Sequence, residues 1–233
     1  VVGTLMGAGT FALVFIGLKT SSPSAVAIVS QVGVPITTLL SFLILGERLT
    51  GRRVVGMLLT LTGVLAVMWD PHGFKISTGL LFIVAASFLG GLGAVMMKQM
   101  EGVKPLRLQA WVGLSSLVPM VVLSAWLEPG QVEAGVAAGW PFVAAALFSG
   151  LVVSVLAHTL YYSLIQKYEA NLISPLTLMT PLATIAMGVV FTQDVFDLRM
   201  AFGTAVALAG VLVIALRPSQ ALALLVALRN RSQ

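Results

Sequence analysis

Several polar side chains lie inside long apolar stretches, where a solute or a proton could use them. His158 is one of two histidines in the chain. Because histidine titrates near neutral pH, it can bind a solute or relay a proton, or it can simply bond to a neighbouring helix. Ser154 lies one helical turn before it and could pair with it as a nucleophile. No hydrolase motif accompanies the two, so we do not expect an enzyme.

Two prolines mark positions where helices are expected to bend. Pro35 and Pro181 lie inside apolar stretches, and Gln31 and Thr177 each come four residues before one of them. An internal proline removes one backbone hydrogen bond and kinks the helix. The freed carbonyl can line a cavity, or the kink can serve packing alone. The amide of Gln31 needs a partner in hydrocarbon, either a neighbouring helix or a substrate.

Aromatic side chains supply a second group of candidates. Phe11 and Phe15 can form an aromatic wall or pack in a core, and Tyr161 can contact a cavity or anchor at the membrane interface. Trp111 is a candidate for either an interfacial belt or a cavity. The full set of candidate cavity residues is Gln31, His158, Tyr161, Thr177, Phe11, Phe15 and Trp111.

The elements that carry these residues are apolar enough to cross a membrane. Only 9% of the 233 residues are charged, against about 25% in soluble domains. A membrane helix needs about 20 mostly apolar residues. A soluble enzyme is thereby excluded, and zero cysteines exclude disulfides and thiolate metal sites. An all-α, polytopic membrane protein is predicted, with eight helices at about 1–18, 23–45, 53–69, 77–98, 107–127, 140–165, 170–192 and 199–216.

The positive charges predict an orientation. Three of the 13 Lys and Arg residues (Lys19, Lys75 and Arg199) fall in loops on one side of the predicted helices, and the others fall on the opposite side. Cytoplasmic loops carry the excess of basic residues. The richer side, which includes the C-terminal tail, is therefore predicted to be cytoplasmic. The same bias accounts for the net charge of +5, so nucleic-acid binding is not expected.

An internal repeat relates the two halves of the chain. Residues 18–67 align with 164–214, and both copies contain a helix with an internal proline, an acidic turn, and a helix with two glycines seven apart. The repeat unit contains five helices, an odd number, so its copies must cross the membrane in opposite directions. The matching pairs are Pro35 with Pro181, Glu47 with Asp194, Gly56 with Gly203, and Gly63 with Gly210.

The repeat also predicts domain boundaries. The second copy has two helices with no counterpart before the first predicted helix. We therefore expect ten spans in a full chain, with two more helices before Val1. Residues 1–72 then hold the last three helices of the first unit, residues 73–217 the complete second unit, and residues 218–233 a cytoplasmic tail.

The acidic turn carries a family resemblance. The stretch Leu45-Gly46-Glu47-Arg48-Leu49-Thr50, followed by Gly56 and Gly63, resembles the EamA repeat of the drug/metabolite transporter superfamily. The second copy is similar to the second EamA domain, but Gln193-Asp194-Val195-Phe196-Asp197 departs from the usual Gly-Glu-Arg-Leu. The resemblance is greatest to bacterial exporters of amino acids and their metabolites. It implies a multi-pass secondary transporter of the bacterial inner membrane that exports small metabolites by alternating access.

The remaining expectations concern the substrate and partners. Charge-free span interiors predict an uncharged cavity that suits zwitterionic, neutral or amphipathic small solutes. Glu47 is expected to cap and anchor its turn, with a gating salt bridge as the alternative. The expected partners are a small-molecule substrate and the lipid bilayer, without cofactor or metal. Proton coupling, transport direction and the choice between monomer and homodimer stay open, as does a non-transporting scaffold or accessory subunit.

Overall fold

The computed structural model describes residues 1–70, 75–100, 103–167 and 178–215, and these are nearly all helical. Within these described residues, six helices are long and apolar enough to cross a membrane, and Val2–Leu18 and Met179–Phe191 are shorter apolar helices. A polytopic, helical membrane protein is therefore confirmed. The predicted start of the helix at 170–192 and the tail at 218–233 lie outside the described residues.

The helices are numbered here in chain order. A two-residue antiparallel pair, β1 (Trp69–Asp70) and β2 (Lys75–Ile76), lies between the third and fourth helices. The helices are α1 Val2–Leu18, α2 Pro23–Leu45, α3 Gly51–Met68, α4 Thr78–Lys98, α5 Pro105–Leu127, α6 Gln131–Ala138, α7 140–167, α8 Met179–Phe191 and α9 Leu198–Ala215.

Local sequence signals set several helix starts. Helices α2 and α5 begin at Pro23 and Pro105, where proline is tolerated because the first N–H groups have no helical partner. Ser22 caps α2 by accepting a hydrogen bond from the Ala25 N–H at 3.3 Å. Thr50 caps α3 in the same way, through the Arg53 N–H at 3.4 Å. These starts agree with the sequence prediction to within two residues.

Glycines bring α3 and α9 into backbone contact. A Cβ atom at Gly56 would lie 2.7 Å from the Gly210 carbonyl oxygen, and one at Gly63 would lie 2.5 Å from the Gly203 carbonyl oxygen. Thr60 lies between these two contacts and donates a hydrogen bond to the Gly56 carbonyl at 2.9 Å. Since Gly56 meets the later glycine of α9 and Gly63 the earlier one, the two helices run antiparallel. Such close approach is typical of small residues at membrane helix interfaces.

Helices α1, α2 and α4 form a second packed group. Ile28, Val29 and Ile83 are fully buried where α2 and α4 meet the rest of the core. Helix α1 also packs on α5, where the Ala8 N–H donates to Ser116 Oγ at 2.9 Å and that hydroxyl donates to the Gly3 carbonyl at 3.2 Å. Gly3 therefore lies at the contact between α1 and α5.

Helix α6 was not predicted from the sequence. It is flanked by Gly130 (φ 83°) and Gly139 (φ 59°), both in left-handed backbone conformations that favour glycine. Helix α5 ends before Glu128-Pro129-Gly130, and the short helix α6 follows this break before α7 begins. Helix α7 has no buried residue over Trp140–Leu147 or Phe148–Ala157, so its sides face outward in this part of the chain.

Candidate functional site

A cavity of about 490 Å³ lies between α1, α2 and α4. This volume falls within the range of about 300–1,000 Å³ that small-molecule sites occupy. Its lining combines hydroxyl groups, glycines and aliphatic side chains, and contains no charged residue. The lining residues are Thr10, Val14, Ser30, Gly33, Val34, Thr37, Thr38, Ile83, Ala86, Ser87, Gly90 and Gly91.

Small residues on α4 create this space. A Cβ at Gly91 would lie 2.9 Å from Thr37 Oγ1, and a Cβ at Gly90 would lie 3.6 Å from Thr10 Oγ1. Larger side chains at these two positions would therefore project towards the hydroxyls of α1 and α2. Gly91 therefore lies at a close contact with α2, and both glycines border the cavity.

Three of the cavity hydroxyls donate to carbonyls of their own helix. Thr10 Oγ1 donates to the Leu5 carbonyl at 2.8 Å, Ser30 Oγ to the Val26 carbonyl at 2.7 Å, and Thr38 Oγ1 to the Val34 carbonyl at 2.8 Å. A hydroxyl whose hydrogen is donated still has lone pairs that accept. The cavity is therefore suited to a solute that donates hydrogen bonds, such as an ammonium or amide group.

Two helices contain segments with the wider π-helical turn. In α1 this segment is Leu5–Gly9. Thr10 follows it, and its hydroxyl donates a hydrogen bond to the carbonyl of Leu5, five residues earlier. In α7 it is Phe148–Ala157, and His158 follows it directly. Such segments are frequent at functional sites. In α1 the segment places Thr10 at the cavity wall.

His158 makes the same kind of contact as Thr10. Its Nδ1 lies 2.8 Å from the Val153 carbonyl oxygen, five residues earlier. Because a carbonyl oxygen only accepts, Nδ1 carries the hydrogen in this contact. His158 is partly buried and lies on α7, away from the cavity between α1, α2 and α4. Its role in transport stays a prediction.

The two prolines and Gln31 occupy inner positions of their helices. Pro35 and Pro181 are both buried. A short 3₁₀ turn, Ser30–Val32, precedes Pro35 and marks a local irregularity in α2. The side-chain amide of Gln31 is partly buried and donates to the Ala27 carbonyl at 3.3 Å. Its neighbour Ser30, rather than Gln31, lines the cavity.

The predicted aromatic residues do not gather around this cavity. Phe11 and Phe15 stack on each other with ring centroids 6.4 Å apart, and are 45% and 54% exposed. Trp111 is 61% exposed near the start of α5. The side chain of Tyr161 and the whole of Thr177 lie outside the described residues.

Charged residues lie at the ends of the helices. Glu47 forms ion pairs with Lys98 at 3.0 Å and with Arg53 at 3.7 Å, which tie the turn after α2 to the end of α4 and the start of α3. All three side chains are more than one third exposed. This geometry suits the predicted anchor, and the pair with Lys98 also suits the gating alternative. The predicted cap is wrong, because Thr50 rather than Glu47 caps α3.

Asp194, the counterpart of Glu47 in the repeat, has a different role. Its Oδ2 accepts hydrogen bonds from the Ser24 N–H at 2.9 Å and from Ser24 Oγ at 2.5 Å, in the first turn of α2. Burial acts to raise the pKa of the Asp194 carboxyl, but the bonds from Ser24 and Thr192 outweigh it and hold the pKa below its usual value. The acid thus joins the end of α8 to the start of α2.

The hydroxyl residues of the cavity were not predicted from the sequence. Thr10, Ser30, Thr37, Thr38 and Ser87 were not among the candidate site residues. One signal was available: Ser30 and Thr37 are seven residues apart and so lie on one face of α2. That face could have been matched to the small residues of α4.

Comparison with known proteins gives one family and several relatives. A model of the EamA-like transporter family matches residues 1–69 and 77–216. The probable amino-acid metabolite efflux pump of Salmonella typhimurium is 23% identical over 220 residues, covering 91% of this chain and 74% of that protein. The Escherichia coli protein of the same description is 23% identical over 201 residues, covering 82% and 67%. The uncharacterized transporter YvbV of Bacillus subtilis is 26% identical over 168 residues, covering 70% and 53%.

Proposed function

The chain belongs to the EamA-like transporter family, and we propose that it is a secondary transporter that exports small metabolites, amino acids or their derivatives, from the bacterial cytoplasm. The observation that carries this proposal is the uncharged, hydroxyl-lined cavity of about 490 Å³ between α1, α2 and α4. Two similar proteins described as probable amino-acid metabolite efflux pumps support the direction and the solute class.

The chemistry of the cavity favours solutes that donate hydrogen bonds. Its hydroxyl oxygens accept, and its aliphatic and glycine surfaces contact apolar groups. An isolated ion would lose its hydration there without gaining a charged partner. A zwitterion or amide that partly neutralises its own charge is better suited to this environment.

We propose that the fold is an inverted repeat of five-helix units, with eight spans in this chain. The glycine contacts between α3 and α9 support it: Gly56 meets Gly210, and their repeat counterparts Gly203 and Gly63 meet each other. When each glycine is replaced by its repeat counterpart, the same two contacts between α3 and α9 are obtained. This is what a two-fold axis passing between the two helices requires. The π-helical segments also correspond, because the residues that match Leu5–Gly9 in the second repeat unit fall within the segment Phe148–Ala157.

Alternating access follows from this arrangement. Two units of opposite orientation can exchange conformations, so that the cavity opens to one face and then to the other. In the proposed orientation the Glu47–Lys98 pair lies at the cytoplasmic end. The contact of Asp194 with Ser24 lies at the outer end, and the C-terminus is cytoplasmic.

Counterflow in liposomes tests the proposal. The full-length protein is reconstituted in vesicles loaded with an unlabelled amino acid, and the uptake of the labelled form is measured across a panel of amino acids and derivatives. Gly91→Val should abolish uptake, because a side chain there enters the space beside Thr37. Gly113→Val is the matched control, since a Cβ at that helical glycine meets nothing within 4 Å.

The outcomes separate the alternatives. Uptake by the wild type and by Gly113→Val, but not by Gly91→Val, supports transport through this cavity. Equal uptake by both variants would move the pathway elsewhere. Absence of protein-dependent uptake across the whole panel would overturn the transporter and favour the scaffold or accessory subunit. Repeating the assay with and without a pH gradient tests proton coupling.

A further inference from the structure

A second cavity, of about 560 Å³, lies between the C-terminal ends of α1 and α5 and the start of α7. Helices α1 and α5 touch in their N-terminal halves, where Gly3 and Gly7 of α1 face serine side chains of α5. Towards their C-terminal ends the two helices separate. Phe15, Leu123 and Phe142 supply apolar walls in the resulting space. None of its lining residues belongs to the hydroxyl-lined cavity.

An ion pair lies at the edge of this second cavity. Lys19 Nζ and Glu128 Oε1 are 3.0 Å apart, and the two side chains are 52% and 38% exposed. Gln131, at the start of α6, also lines the cavity, and its Oε1 accepts a hydrogen bond from Ser124 Oγ. One cation, one anion and one amide therefore lie beside aromatic surface.

This combination is complementary to a zwitterion with an apolar body. A carboxylate can bind Lys19, an ammonium can bind Glu128, and an apolar side chain can lie between Phe15 and Phe142. Because an exposed ion pair contributes little by itself, its opening costs little. A ligand replaces it with two charge-assisted hydrogen bonds and buries apolar surface as well.

We propose that this cavity is a second binding site for a free amino acid with a large apolar side chain. The inference rests on the proposed function, because it names the solute class and adds a second station near one end of the pathway. An ethanolamine phospholipid headgroup carries the same ammonium and acidic groups. The free solute fits better because both charged side chains reach solvent and the cavity has the size of small-molecule sites.

The test compares three ligands that differ in one charged group. Phenylalanine, phenethylamine and 3-phenylpropionate are titrated against the full-length protein by saturation-transfer NMR, in detergent free of ethanolamine lipid. The wild type should bind phenylalanine about tenfold more tightly than either analogue, since each lacks one charge-assisted bond. Lys19→Gln should remove the preference over phenethylamine alone, and Glu128→Gln the preference over 3-phenylpropionate alone.

A merely structural ion pair would behave differently, because each variant would then weaken all three ligands by the same factor. That result overturns the site. Arg199→Gln is the control, since Arg199 pairs with Asp197 at 3.8 Å at the start of α9 and should leave both preferences intact. Displacement of phenylalanine by added ethanolamine phospholipid, but not by phosphatidylcholine, would assign the site to lipid and also overturn the proposal.

The counterflow assay keeps this inference separate from the proposed function. If the wild type shows counterflow but Lys19→Gln and Glu128→Gln do not each lose one ligand preference, the second site is overturned and the transporter function is retained. If the wild type shows no counterflow, the proposed transporter function is overturned. The proposal that the second site lies on a transport pathway is then overturned as well.

Discussion

The close contact of α3 and α9 gives a prediction whose magnitude follows from the space around their glycines. A Cβ at Gly63 would lie 2.5 Å from the Gly203 carbonyl oxygen and 2.8 Å from Ala207 Cα, whereas ordinary contacts begin at 3.4 Å. Both neighbours are backbone atoms, so they cannot rotate away. Gly63→Ala must therefore separate the helices by about 1 Å, and overpacking of this kind costs about 1–3 kcal/mol.

Substitution of Gly203, which faces Gly63, should lower the free energy of unfolding by a smaller amount. A Cβ at Gly203 would meet the Gly63 carbonyl oxygen at 2.8 Å and Val67 Cγ2 at 2.6 Å, and the valine methyl can move. Gly203→Ala should thus be less destabilising than Gly63→Ala. Because the first substitution already separates the helices, the double variant should be less destabilised than the sum of the two, by about 1 kcal/mol.

Thermal unfolding of the purified protein in detergent measures these differences. Each 1 kcal/mol should lower the Tm by about 2–4 °C for a chain of this size. Gly113→Ala is the control, because a Cβ there meets nothing within 4 Å and alanine favours the helix. If Gly63→Ala is as stable as Gly113→Ala, or if the two crossing substitutions are additive, the glycine-mediated backbone contact is refuted.

Three further predictions concern charged and titratable groups. Asp194→Asn should destabilise the protein by about 1–2 kcal/mol near neutral pH, since it removes the charge from the acceptor for Ser24. Because the pKa of Asp194 lies below its ordinary value of 3.8, that stabilisation is complete above this pH, and the gap in Tm between wild type and variant should close only below it. Lys98→Gln should change the free energy of unfolding by less than about 1 kcal/mol, because its pair with Glu47 is exposed; a counterflow rate changed more than twofold would identify a gate instead of an anchor. His158→Ala should lower the flux or alter its pH dependence, and unchanged transport from about pH 5.5 to 8 would remove this residue from the mechanism.

The helices themselves could be predicted well from the sequence. The expected segments 23–45 and 77–98 agree with Pro23–Leu45 and Thr78–Lys98 to within one residue at either end. Apolar length and flanking charge decide where a membrane helix begins and ends, and both are legible in one sequence. The π-helical segments were not predictable in this way, because Leu5–Gly9 has an apolar composition like that of the regular helix around it.

The face that each helix turns towards the cavity was harder to predict, and α2 shows why. Inside a membrane, lipid and protein interior are equally apolar, so hydropathy does not identify the inward face. Gln31 was a candidate because a buried amide needs a partner, but the Ala27 carbonyl of its own helix is within reach at 3.3 Å. Ser30, rotated by about 120° from Gln31 in the 3₁₀ turn, lines the cavity instead. It does so in the part of the helix where Gly33 lies beside Ser87 of α4, so that small residues of both helices leave space. The polarity of one side chain therefore says less about a transport cavity than the pairing of small residues between two helices, and that pairing requires knowing which helices are neighbours.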